Sequence, residues 1–285
     1  MKDRGLAWLA LAALVCADGA AWFQILTAGP PRAAAISFLD VGQGDASLLI
    51  LPGGAKILTD AGPDAAVVAA LEVALPSGAR YIDLAVVTHP ELDHFNGFNH
   101  ILEKYEIGAF IVNGRDHPGS RQWAELVAKI EARRAPLITL GAGDGVRHGA
   151  NRIDILSPGP QFVGSSELND TGLVQKILTP DFSALLTADT GFNVEEYLRE
   201  RYDLAADILK VGHHGSKYSS SAAFLRAARP EVAVISSGAR NTYGHPARET
   251  LARLSAADIP VLRTDQMGTV TLRRVGGKLK AFTVK

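Results

Sequence analysis

Thr88-His89-Pro90-Glu91-Leu92-Asp93-His94-Phe95-Asn96-Gly97 follows directly on the largely apolar run Ile82 to Val87. A short apolar run bounded by polar residues reads as a buried strand. This strand therefore ends in a turn that holds two imidazoles and two carboxylates. Neutral imidazole and ionised carboxylate are ligands for Zn²⁺ or Mn²⁺. A lone histidine has many roles at a turn or on a surface, but His-x-Glu-x-Asp-His at a strand end points to a metal.

The same chemistry recurs outward from this turn. Lys56–Thr59 leads to Asp60-Ala61-Gly62, and Ser183–Ala188 leads to Asp189-Thr190-Gly191. Ile208–Val211 runs into Gly212-His213-His214-Gly215-Ser216-Lys217, and Val232–Ile235 reaches Tyr243-Gly244-His245-Pro246 through a loop. Five of the eight histidines fall in these turns, so the strands can deliver them to one sheet edge. His100, His117 and His148 lack such company and read as surface residues.

The spacing predicts strands at 35–40, 46–51, 55–59, 82–88, 108–112, 137–140, 145–148, 152–156, 173–179, 182–187, 207–211 and 232–236, with three short strands at the end. Helices are expected at 64–75, 97–104, 120–133, 193–201, 219–228 and 246–254; in 120–133 the apolar Trp123, Leu126, Val127 and Ile130 recur at helical spacing. This order suits an α/β protein of two sheets with helices outside. A Gly-, Pro- and Ser-rich loop at 157–170 is placed beside the site.

The 285 residues allow one large domain or two small ones, and no repeat or charge block divides them. At 47% hydrophobic but only 7% aromatic, the core is aliphatic. Lys2 and Arg4 precede Gly5–Thr27, whose only ionisable side chains are Cys16 and Asp18. A spanning helix needs about 20 apolar residues, and Asp18 at mid-bilayer would cost roughly 2.5–3.5 kcal/mol. The uncharged Gly5–Ala17 also has signal-peptide length. Membrane anchor, cleaved signal and buried N-terminal helix all stay open, with Pro30-Pro31 as the end of the segment. The positive start favours a body outside the cytoplasm. Cys16 is the only cysteine, which excludes an intrachain disulfide.

Beyond residue 32 there are 26 basic and 28 acidic side chains, a net charge of −2. A domain built mainly to bind nucleic acid is strongly basic, so any DNA contact has to be local. Lys210, Lys217, Arg226, Arg229, Arg240 and Arg248 gather around the later turns; all but Lys217 read as solvated charge.

In order, these turns resemble those of the metallo-β-lactamase superfamily. Phe38-Leu39-Asp40-Val41-Gly42-Gln43-Gly44-Asp45-Ala46, Gly212-His213-His214-Gly215-Ser216-Lys217 and Tyr243-Gly244-His245-Pro246 narrow the likeness to the hydrolase domain of ComEC-type competence (DNA-uptake) channel proteins. It runs from about Ile36 through Arg263–Gly268 to the C-terminus, without the many-helix channel, so the chain resembles a free-standing relative. The resemblance implies an αβ/βα four-layer sandwich at 33–285, after a hydrophobic signal or anchor segment and linker at 1–32; it favours the anchor. It implies one or two divalent ions, Zn or Mn. Asp93 and His94 would hold one ion with His213 or His214, and Asp189 would bridge to a second served by His89 and Glu91. Asp60, Asp40, Asp45 and Asn169 would support the ligands; Asp189, Lys217, His213 and His245 would carry catalysis.

Three departures from the superfamily stand out: Glu91 in place of His or Asp, Ala188 in place of Gly before the bridging Asp, and no His anywhere in 149–188. More oxygen ligands move preference from Zn²⁺ toward Mn²⁺ or Mg²⁺. The implied activity is phosphodiester hydrolysis of DNA, with a membrane and a separate DNA-uptake channel protein as partners. The alternatives are another phosphoester hydrolase, acting on cell-wall phosphorylcholine or a nucleotide, and a degenerate metal-binding interaction module.

Overall fold

The structure, a computed structural model, describes residues 2–27, 29 and 31–285. Pro30, half of the pair expected to end the leader, lies outside the described residues. Helix α1 (Lys2–Thr27) comes first. Its side chains from Trp8 to Trp22 are exposed, which removes the buried-helix reading for that stretch. Among the described residues no helix is long and apolar enough to cross a membrane.

The body alternates strand and helix as the apolar runs require. In chain order it comprises β1 (Ala35–Phe38), β2 (Ser47–Ile50), β3 (Lys56–Thr59), α2 (Ala66–Ala74), β4 (Tyr81–Val87), α3 (Leu92–Phe95), α4 (Gly97–Ile101) and β5 (Glu106–Val112). Next come α5 (Arg121–Ala132), β6 (Leu137–Thr139), β7 (Gly145–His148), β8 (Asn151–Ser157), β9 (Val174–Leu178), β10 (Ser183–Leu186) and α6 (Phe192–Arg201). The chain closes with β11 (Ile208–Lys210), α7 (Ala222–Ala228), β12 (Val232–Ile235), α8 (Arg248–Ala256), β13 (Val261–Arg263), α9 (Thr264–Met267), β14 (Thr269–Val275) and β15 (Lys278–Val284).

Among the described residues, one sheet has the order β15-β14-β1-β2-β3-β4-β5-β6 and the other β13-β12-β11-β10-β9-β8-β7. Alternation along each strand makes the layers. Val86 of β4 faces the interior between the sheets with Phe38, Leu186 and Val234, while Ala85 and Val87 face α2, α4 and α5 with Leu71, Phe98 and Leu126. In the second sheet Leu186 and Val234 point inward, and Leu185 and Ile235 meet Leu198, Phe224 and Leu254 of α6, α7 and α8. The result is the expected four-layer sandwich.

Each sheet holds a parallel block, β3-β4-β5-β6 and β10-β11-β12-β13. In α/β sheets the carboxyl ends of parallel strands are where ligands collect. Here β3 ends at Asp60, β4 at Thr88, β10 near Asp189 and β11 at Gly212, on one shared edge. The N-terminal segment joins at the opposite pole: Pro31 accepts the Gly53 N–H (2.9 Å) at the β2–β3 turn, and Asp181 accepts the Ala34 N–H (2.7 Å) at the β9–β10 turn.

Some boundaries differ from expectation. Ser221 caps α7 by accepting the Phe224 N–H (3.2 Å), so that helix starts three residues later than the sequence indicates. The ligand turn folds into α3 instead of staying irregular, and the loop before β9 contains a 3₁₀ turn at Leu168–Thr171. Strands β14 and β15 are seven residues each, longer than the short strands expected, because they pair along their whole length.

Candidate metal centre

Asp60 organises the site. It has a left-handed backbone (φ 57°), a conformation Asp tolerates better than most residues. Its buried carboxylate accepts three bonds: from the Thr88 N–H (2.8 Å), from Thr88 Oγ1 (2.8 Å) and from His94 Nδ1 (2.9 Å). Because Thr88 gives its hydroxyl proton to Asp60, its oxygen accepts from His89 Nδ1 (2.9 Å). One carboxylate thus fixes both tautomers, His94 directly and His89 through Thr88, and leaves both Nε2 atoms free. Metal-binding imidazoles are oriented in this way by a partner on the other nitrogen.

The His213-His214 pair is turned by two successive left-handed residues, φ 48° and 52°. Each such residue costs on the order of 1–2 kcal/mol without glycine, and strain of that kind persists where the surroundings enforce it. The turn sends the two rings different ways. His214 is buried, donates from Nδ1 to the Ser236 carbonyl (3.0 Å) and brings Nε2 to 3.2 Å from both Asp93 and Asp189. His213 stays half-exposed, with Nε2 3.9 Å from Asp189 and its ring 5.5 Å from that of His245. Ala188, where resemblance leads one to expect glycine, also takes φ 47°.

Asp93, His94, Asp189 and His214 present one ligand atom each, all within 4.8 Å of one another. Asp45, Asp60 and His94 form a second such group behind them. His89 Nε2, His94 Nε2 and Asp189 Oδ1 are buried without a hydrogen-bond partner. Buried polar atoms are seldom left in this state, and His94 Nε2 belongs to the four-residue group that could hold a cation. Two imidazoles and two carboxylates suit Zn²⁺ or Mn²⁺, so the residues fit a metal. Glu91 lies at the rim, its carboxylate 3.9 Å from His89 Nε2.

The charges are tightly balanced. Burial opposes ionisation of Asp189, but His214 and His94 overcome it and hold the carboxyl well below its ordinary range. Burial likewise opposes a charge on His94 and His214, yet Asp189, with Asp60 and Asp93 for the former and Asp45 for the latter, raises both well above 6.5. Asp93 is brought down to about 2, burial notwithstanding, by His94 and by its bond from His214. Burial, with His94 beside it, lowers His89 to about 3. Burial, then the negative Asp189 and Asp93, raises Glu91.

The structure departs from the sequence reading at Lys210 and at His117. Lys210, read as solvated charge, is buried and ion-paired with Asp45, and lies 3.9 Å from Asp189. Lys217 stands outside the cluster, exposed, with its ammonium 4.9 Å above the Tyr218 ring. His117, read as a surface residue, is half-buried and donates from Nδ1 to the Pro90 carbonyl (2.9 Å), pinning the ligand turn. Asp40 is exposed, and its carboxylate accepts the Gly42 N–H (3.2 Å) within its own loop. Asn169 sits in the 3₁₀ turn with a buried, unpaired Oδ1, and its carbonyl accepts the Gly172 N–H (3.2 Å). His245 has a buried, unpaired Nδ1 and stacks on Tyr243; burial and His213 lower its pKa.

Residues 39–239 match the metallo-beta-lactamase superfamily. The chain is 31% identical over 274 residues to "Competence protein ComA" of Neisseria gonorrhoeae, covering 91% of this chain and 36% of that protein. It is 27% identical over 262 residues to "ComE operon protein 3" of Bacillus subtilis, covering 85% and 33% respectively. The chain therefore spans about a third of the length of these curated relatives. Among solved structures, the metallo-beta-lactamase fold protein YhfI from Bacillus subtilis superposes with a TM-score of 0.56 at 12% identity, over 88% of this chain and 100% of that one. CmlA, a diiron beta-hydroxylase from Streptomyces venezuelae, gives 0.56 at 12%, over 86% and 55%. At such identities the likeness is one of fold alone.

Proposed function

Because the chain belongs to the metallo-β-lactamase superfamily, we propose that it is a metal-dependent phosphodiesterase that cleaves DNA. The observation that carries this reading is the convergence of Asp93, His94, Asp189 and His214, with their ligand atoms within 4.8 Å of one another at the open edge of the sandwich. Similarity to proteins named for competence supports DNA as the substrate.

Asp93, His94, His214 and Asp189 would hold one ion, and His89 with Asp189 and Glu91 would hold a second. A divalent ion there lowers the pKa of water toward about 7 and offsets charge on phosphate oxygens. Asp60 and Thr88 keep the ligand nitrogens aimed. Lys210 neutralises Asp45 and so limits the negative charge behind the ligands. His213 and His245, both lowered by burial first, are neutral near pH 7 and suit hydrogen-bond contact with the substrate. Lys217, on the outer wall, is assigned to a substrate phosphate.

The test is hydrolysis of single-stranded DNA and of a simple chromogenic phosphodiester by protein purified without chelators. Activity on both, lost with chelator and restored by Mn²⁺ or Zn²⁺, is expected. Activity on a lactam or lactone but on neither diester would overturn the reading, and metal uptake without any turnover would favour a non-catalytic module.

The body is proposed to lie outside the cytoplasm, tethered or released by the segment 1–27, with a separate DNA-uptake channel protein as partner. The N-terminal segment joins at the pole opposite the cluster, so a tether there would leave the site facing away from it. A reporter fused after Lys285 that functions only in the cytoplasm would refute it.

A further inference from the structure

Beside the metal cluster lies an open cavity of about 330 Å³, whose wall includes Lys217, Tyr218, Tyr243, His245 and Arg248. It adjoins the cluster through His245, whose ring is 5.5 Å from His213, itself 3.9 Å from Asp189. Two features set this wall apart. Tyr218 and Tyr243 are 62% and 71% exposed, and neither ring belongs to any of the three hydrophobic clusters. Their ring contacts are local: Lys217 over Tyr218 at 4.9 Å, and His245 stacked on Tyr243 at 6.0 Å and 23°.

The backbone beneath Tyr218 is nonetheless fixed. Its carbonyl accepts the Phe192 N–H (3.0 Å), and Arg253 clamps the carbonyls of Lys217 (3.0 Å), Ser219 (2.8 Å) and Ser220 (2.9 Å). Exposed rings on a rigid support lose little freedom when a ligand covers them. A flat apolar face beside a cation is the combination that binds an unpaired nucleobase and its phosphate, because every base has a π-face and stacking is indifferent to sequence. Lys217 and Arg248 supply the cations, with Glu249 the one carboxylate on the same wall.

We propose that Tyr218 and Tyr243 are base-stacking platforms that lead single-stranded DNA across this cavity to the metal cluster, with Lys217 and Arg248 on its phosphates. The proposal rests on the phosphodiesterase reading for its purpose but not for its test. Duplex DNA, whose bases are already stacked, is a poor fit to such platforms.

The experiment measures binding of the full chain to fluorescent oligo(dT) and to an abasic oligomer of equal length by anisotropy, in chelator, and cleavage of both with metal. Tyr218→Ala and Tyr243→Ala are each expected to weaken oligo(dT) binding about tenfold, the scale of a lost stack, and to leave abasic binding unchanged. Tyr218→Trp and Tyr243→Trp should retain affinity, which controls for folding. Lys217→Ala should weaken both oligomers alike. Equal affinity of the wild type for both oligomers, or no effect of either Tyr→Ala variant, overturns the platform. Tyrosine-dependent binding without cleavage would instead sink the nuclease reading and leave the platform standing.

Discussion

Lys210 and Asp45 lie 165 residues apart in sequence and form a buried ion pair that joins the two sheets directly behind the metal cluster. Their side chains are 3% and 6% exposed. Burial alone would raise the Asp45 carboxyl; Lys210, with His214 and His94, holds it below its ordinary value. Removing one member of a buried pair leaves an uncompensated charge and costs about 3–5 kcal/mol. Lys210→Met should therefore lower the unfolding free energy extrapolated from urea denaturation by that amount, whereas Lys210→Met with Asp45→Leu should recover much of it. A single variant as stable as the wild type would show the pair to be energetically idle.

Asp93→Ala and His94→Ala should both abolish metal binding and hydrolysis, but with different effects on the fold. The Asp93 side chain is 28% exposed at the rim, so its loss should change stability little. His94 is buried and bonded to Asp60, and its removal strips a buried carboxylate of a donor, at about 1–3 kcal/mol. Metal content and thermal unfolding of the two variants separate these effects. Wild-type turnover at limiting metal in either one would remove that residue from the ligand set.

Metal binding should release protons. His94 and His214 sit above 6.5 in the metal-free protein, so they are protonated at neutral pH, and an ion needs them neutral. Affinity should fall as pH falls, and calorimetry in buffers of different ionisation enthalpy should report the displaced protons. The same shifts act on the fold. A histidine raised above its unfolded value adds stability that is complete below that value and is lost as pH rises through the folded one. Metal-free protein should thus weaken on the alkaline side of neutrality, and metal should flatten the curve. Heats that do not depend on the buffer would contradict this.

Glu91→His should move metal preference from Mn²⁺ toward Zn²⁺, since the carboxylate lies 3.9 Å from His89 Nε2, where a softer nitrogen would join the set. Activity of the wild type and the variant, titrated with each metal, checks the expectation. An unchanged ranking would place Glu91 outside the coordination sphere.

The positions of the ligand turns were legible in the sequence because they are local: an apolar run ending at Thr88, Asp60 or Gly212 marks a strand end from a few neighbouring residues. The layered fold followed, since alternation along each strand already separates Val86 from Ala85 and Val87. Burial of individual charged and polar side chains was not local. Lys210 was read as solvated charge, yet it is buried because Asp45, in the loop between β1 and β2, reaches it, whereas Lys217 is exposed beside Tyr218. His117 was misread for the same reason, its acceptor being the carbonyl of Pro90, 27 residues away. The choice of His214 over His213 as the ring facing Asp93 rests on two left-handed residues in succession. Chirality makes that conformation unfavourable for each residue alone, so only the packed surroundings that enforce it could decide which imidazole turns inward.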